Sequence, residues 1–149
     1  MDEKVLVLID GNSLINRAFF ALPPLTDKQG RPSQAVYGFT TMLLKAVTDL
    51  QPTHMAVAFD LPAPTFRHKL YDGYKASRRG MPEELAVQLP ILKELLRIMH
   101  VKIIEREGFE ADDIIGTMAK TNPVRTYILT GDRDSFQLID DTTTVLLTK

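Results

Sequence analysis

The chain has 149 residues, of which 44% are hydrophobic and 25% charged, with a formal net charge of −1 and no cysteine. That length fits one domain around one core, and the missing cysteines exclude disulfides and any thiolate metal site. The near-neutral balance excludes nucleic-acid binding through a global basic excess, so a polyanion would have to meet locally segregated charge.

The opening stretch, MDEKVLVLID, is acidic, and its apolar run is too short for a signal peptide or a membrane span. A cytoplasmic protein is expected. Within it, VLVLI at 5 to 9 is short, unbroken and rich in β-branched residues, the pattern of a buried parallel strand. NSLINRAFF follows and reads as helical, carrying the lone Arg17. Residues 21 to 34 hold three prolines and one glycine and read as a loop. Val36, Phe39, Leu43, Val47 and Leu50 recur at helical steps, then MAVAF at 55 to 59 repeats the strand pattern. Residues 61 to 82 are loop-like in composition. Pro82 suits the first turn of a short helix, and Pro90 is expected to end or kink it before ILKELLRIM starts afresh. VKII at 101 to 104, the helical stripe Ile114, Ile115, Met118 and Ala119, TYIL at 126 to 129 and TVLL at 144 to 147 complete the chain. Alternation of strand and helix predicts an α/β fold with a mainly parallel sheet.

Acids fall at the strand ends. Asp10 directly follows VLVLI, Asp60 follows MAVAF, and Asp132 and Asp134 follow TYILTG. Glu110, Asp112 and Asp113 open the helix after VKII. In a parallel sheet these ends share one edge, where ligands usually bind. Each acid alone has a plain explanation as a turn residue, an N-cap or a partner of the helix dipole. Together, seven clustered carboxylates would raise one another's pKa values and cost stability, and a divalent cation removes that conflict. With oxygen donors only and no paired histidine, Mg²⁺ or Mn²⁺ is favoured over zinc. Two such ions, about 3.5–4 Å apart, would suit phosphodiester hydrolysis. His54, His68 and His100 are scattered and read as surface or packing residues. An aspartate-nucleophile phosphotransferase would want a paired Asp-x-Asp after the first strand, and LIDGNS has one acid.

Residues 67 to 79 carry Arg67, Lys69, Lys75, Arg78 and Arg79 against the single acid Asp72, with Tyr71 and Tyr74 interleaved. A solvated basic loop is the plain reading. Beside a metal site the run suits a polyanion whose phosphate must reach the metals, and its tyrosines could stack on exposed bases. For Arg17 the surface is the default and a phosphate contact the sharper alternative.

The segments LIDGNSLINRAFFA, AVAFDLPAPTFRHKLYDGYKASRRGMPEEL, GFEADDIIGTMA and ILTGDRDSFQLI, together and in this order, resemble the 5′ nuclease (flap endonuclease) domain at the N-terminus of bacterial DNA polymerase I. The resemblance implies a three-layer, PIN-like α/β nuclease core, with residues 1–149 as the N-terminal part of the domain and a basic helical arch at about 62–90. It implies that Asp10, Asp60, Glu110 and Asp112 surround a first Mg²⁺ or Mn²⁺, and that Asp113, Asp132 and Asp134 serve a second. Tyr74, Lys75 and Arg78 match the base of the arch. Lys75 and Arg78 would be catalytic, placing the scissile phosphate and steadying negative charge, with Arg17, Arg67 and Arg79 as further substrate contacts. The implied substrate is DNA with a 5′ single-stranded end or flap, or an RNA primer, in replication and repair. The family continues past this point with two more metal-site aspartates, a helix-hairpin segment and, in the parent protein, a polymerase domain. The chain alone is therefore expected to hold an under-ligated second metal and to grip duplex weakly. A catalytically silent metal- or single-strand-binding module is the alternative.

Overall fold

The computed structural model describes residues 3–61, 81–121 and 124–148. Among them, five strands form one sheet in the order β3-β2-β1-β4-β5, with β1 Val5–Asp10, β2 His54–Ala58, β3 Lys102–Ile104, β4 Arg125–Thr130 and β5 Thr143–Leu147. Every neighbouring pair is parallel. The chain builds outward from β1 to β3 on one side, then crosses to β4 and β5 on the other. The order reverses at β1 and β4, and an open parallel sheet leaves a crevice at such a point.

Strand residues alternate between two cores, as the period of two requires. Val7, Ile9, Val57, Phe59 and Leu129 face one layer, made by α1 Gly11–Ala21, α2 Gln34–Leu50, α3 Glu83–Ala86 and α4 Gln88–Ile98. Leu6, Leu8, Ala56, Ala58 and Ile128 face the other, where Ala111, Ile114, Ile115 and Ala119 of α5 Ala111–Thr121 pack. Helices on both faces of a parallel sheet make the three-layer, PIN-like architecture that the sequence implies.

The break expected at Pro90 falls earlier. α3 ends at Ala86, Val87 lies between the two helices, and α4 begins at Gln88. Pro90 therefore sits in the first turn of α4, where an N–H has no helical acceptor to miss. Pro82 precedes α3 with extended ψ rather than opening its first turn.

Gln88 explains why the break is placed there. Its side chain is fully buried. Oε1 accepts from Ala35 N at 2.7 Å and Val36 N at 3.2 Å, while Nε2 donates to Glu84 O at 3.0 Å and Gln34 Oε1 at 3.2 Å. Ser33, at the N-cap position of α2, makes no capping bond of its own, so the helix is capped by a residue about 50 positions away. Gln88→Met, which keeps the length and removes the amide, is expected to cost about 1–2 kcal/mol, read as a lowered thermal midpoint. Of the span 62–90 expected to carry the arch, residues 62–80 lie outside the described residues, and Leu85 and Gln88 are buried in the body.

Candidate metal centre

The cleft grows out of the first turn of α1. Asp10 ends β1 and becomes the N-cap of α1, with Oδ1 accepting from Ser13 N at 3.2 Å. The next residue must be small, because a Cβ on Gly11 would lie 2.5 Å from the Phe59 ring. Asn12 and Ser13 then reach to opposite sides. Asn12 Oδ1 accepts from Asp60 N at 2.7 Å, holding the loop after β2. Ser13 Oγ accepts from Gly131 N at 2.6 Å, holding the loop after β4. Thr130 Oγ1 donates to Asp10 Oδ2 at 3.1 Å and accepts from Asp132 N at 3.1 Å.

The acids serve local structure and share one crevice. Asp60 Oδ1 accepts from Ala111 N at 2.6 Å, capping α5 from the end of β2. Asp113 Oδ2 accepts from Glu110 N at 3.0 Å, the back-bonding half of a capping box. Asp132 Oδ1 accepts from Asp134 N at 2.9 Å and opens the 3-10 helix Arg133–Leu138. A carboxylate offers about four lone-pair positions, so capping leaves room for a cation. Asp10, Asp60, Glu110, Asp112, Asp132 and Asp134 line one cleft of about 500 Å³, together with Asn12, Ser13, Asn16, Gly131 and Arg133. Asp113 stands apart from them and lines an adjoining cleft of about 540 Å³ with Asp112, Arg133 and Asp134.

These carboxylates act on one another. Burial first, then the charges of Asp112 and Asp60, push the Asp10 carboxyl up to about 7, against the hydrogen bonds from Ser13 and Thr130 that lower it. Asp112 is also held above the usual range, by loss of hydration and then by Glu110, Asp132 and Asp60. Among the described residues no lysine or arginine forms an ion pair with Asp10, Asp60, Asp112, Asp132 or Asp134. Acids from four separate segments thus share the cleft without a direct ion pair to those groups, although Arg133 lines it with them.

The donor set fits a hard divalent cation, since it is all oxygen and anionic. Its geometry is open: among the described residues no three acids or histidines gather tightly enough to hold an ion as they stand.

Arg17 is exposed on α1, and its side chain lies against the acid-bearing loop, where a Cβ on Gly131 would be 3.1 Å from its Nε. Arg67, Tyr74, Lys75, Arg78 and Arg79, like His68, lie outside the described residues. His54 is exposed and hydrogen-bonded to Thr53 Oγ1 at 2.9 Å, and His100 is exposed in a left-handed backbone conformation. Neither lines the acidic cleft. Sequence reasoning passed over Asn12, Ser13, Thr130 and Arg133. A polar residue one or two positions after a strand-end acid was the available signal for Asn12 and Ser13. Arg133, between Asp132 and Asp134, was given no role from the sequence.

The family model for the 5′-3′ exonuclease N-terminal resolvase-like domain matches residues 5–149. DNA polymerase I of Bacillus subtilis is 47% identical over 151 residues, covering 99% of this chain and 17% of the relative. DNA polymerase I of Mycobacterium tuberculosis is 47% identical over 149 residues, covering 97% and 16%. The chain thus spans about one sixth of the length of these curated relatives. Among solved structures, the T5 D15 protein co-crystallised with metal ions superposes with a TM-score of 0.75 at 18% identity, over 97% of this chain and 55% of that one. The catalytic core of Rad2 in complex with DNA gives a TM-score of 0.55 at 17% identity, over 97% and 43%. Both share the fold described above. The chain belongs to the 5′-3′ exonuclease family, as its N-terminal resolvase-like domain.

Proposed function

We propose that this chain is the acid-bearing part of a divalent-metal-dependent 5′-3′ exonuclease or flap endonuclease, acting on DNA with a 5′ single-stranded end or flap, and on RNA primers, in replication and repair. The observation that carries this reading is the cleft itself. Six carboxylates from four segments line it, and burial first, then the charges of neighbouring acids, lifts Asp10 and Asp112 above the ordinary range. Asp10, Asp60, Glu110 and Asp112 would hold one Mg²⁺ or Mn²⁺, with Asp132 and Asp134 serving a second and Asp113 reaching it from the adjoining cleft. A divalent ion there supplies Lewis acidity toward a phosphodiester and lowers the pKa of bound water.

The protein's own residues do the positioning. Asn12 and Ser13 fix the loops that carry Asp60 and Asp132. Lys75 and Arg78 place the scissile phosphate and steady the charge that develops on it. Arg17, Arg67, Tyr74 and Arg79 contact the strand, with Tyr74 stacking on a base. In the parent protein a polymerase domain lies in the same chain, and further duplex-gripping segments complete the nuclease.

The test is cleavage of a 5′-flap DNA with Mg²⁺ or Mn²⁺. Activity is expected to vanish in EDTA and to fall roughly a hundredfold or more in Asp112→Asn. An unchanged rate in that variant overturns the metal assignment. The open geometry of the acids favours a second reading, a silent module, which predicts metal or single-strand binding with no cleavage under any of these conditions.

A further inference from the structure

We propose that Thr130 is a positioning residue for the metal centre: its hydroxyl sets the orientation of the Asp10 carboxylate and couples it to the loop carrying Asp132. This rests on the metal-dependent reading above.

The placement follows from strand register. Ile9 pairs with Leu129, so the last residues of the two strands, Asp10 and Thr130, lie side by side at the sheet edge where its order reverses. Thr130 is completely buried and Asp10 nearly so. A threonine hydroxyl has one proton to give. Thr130 Oγ1 already accepts from Asp132 N at 3.1 Å, and Asp10 in the ionised form that would hold a cation can only accept. The proton is therefore committed to Asp10 Oδ2, at 3.1 Å. The backbone of Thr130 is fixed as well, because its carbonyl accepts from Thr148 N at 2.9 Å. One buried hydroxyl, 120 residues along the chain from Asp10, thus joins an acid on β1 to an acid on the β4 loop.

Such a contact orients a ligand without being one. Partners behind ligating carboxylates typically change metal affinity by about 10–100-fold when removed. Serine keeps the hydroxyl, whereas valine keeps the shape and loses it.

The test is Mn²⁺ titration of the whole chain, followed by calorimetry and by the loss of free-ion EPR signal, beside thermal unfolding in EDTA. Thr130→Val is expected to weaken Mn²⁺ binding about tenfold or more, and Thr130→Ser to stay within about threefold of the original. Thr126→Val is the control. Thr126 is equally buried on the same strand, but its hydroxyl donates to Val124 O at 2.9 Å, away from the acids. It is expected to lose thermal stability and keep its Mn²⁺ affinity. Equal affinity in folded Thr130→Val overturns the proposal and leaves the metal reading standing. A tenfold loss in Thr130→Ser also overturns it, since the hydroxyl would then not be the agent, and this arm holds even if Thr130→Val fails to fold. Absence of Mn²⁺ binding in the unsubstituted protein overturns the metal reading itself.

Discussion

Replacing Asp10 with asparagine is expected to stabilise the metal-free protein above neutral pH while abolishing cleavage. The sign comes from burial. The Asp10 carboxyl ordinarily titrates near 3.8 and in the fold is pushed up to about 7. Between those values the native state keeps a proton that the unfolded chain has released. Stability of the metal-free protein therefore falls as pH rises from about 4 to about 7, and the loss is complete above that window. The full cost of ionising Asp10 is on the order of 4 kcal/mol, about 3 units at about 1.4 kcal/mol per unit. Asparagine carries no charge at any of these pH values, so Asp10→Asn should exceed the original in stability at pH 8 and match it at pH 4. Saturating Mn²⁺ should reverse the ranking, because only the carboxylate gains from the ion. Thermal unfolding at both pH values, with and without Mn²⁺, checks all four outcomes. A metal-free original whose stability is flat from pH 4 to 8 would contradict the buried-acid account.

Two glycines in helices should respond to alanine with opposite signs. In Gly11→Ala the new Cβ meets the Phe59 ring at 2.5 to 2.8 Å over three atoms. That ring cannot swing aside easily, since it is fully buried with Lys93 Nζ 5.0 Å over its centroid. Overpacking at such a site costs about 2–3 kcal/mol. It also pushes the first turn of α1 away from β2, so Asn12 loses its grip on Asp60 and cleavage should fall with stability. Gly116, within α5, is different: a Cβ there would find only Leu138, at 3.6 Å, an ordinary contact. Gly116→Ala should stabilise by about 0.5–1 kcal/mol through helix propensity alone. Chemical denaturation of the two variants measures the contrast directly.

Most of the sheet was legible because each strand is a short apolar run bounded by an acid or a turn. VLVLI and MAVAF mark β1 and β2 to within one residue. The acids were legible for the same reason, as they stand where those runs stop. The ties that aim them were not. Ser13 meets Gly131 across 118 residues, and Asn12 meets Asp60 across 48. No local spacing encodes a hydrogen bond of that reach. The helix break was misplaced because proline chemistry pointed to Pro90, whereas a buried amide at Gln88 tied to α2 decides where α4 begins. The capping use of Asp60 from another segment had no signal in the linear pattern either, since its recipient, Ala111, lies 51 residues on.

Because β1 lies between β2 and β4, it waits during synthesis for a neighbour translated well after it. Asp10 and Thr130 are 120 residues apart, which at cellular elongation rates is a delay on the order of 10 s. During that interval the apolar VLVLI segment has β2 as a neighbour on one flank and none on the other. Nascent chains of this design present a half-paired apolar strand to solvent and call for chaperone cover until synthesis passes β4. Slow elongation before that point should lower the soluble yield, and slow elongation after it should not.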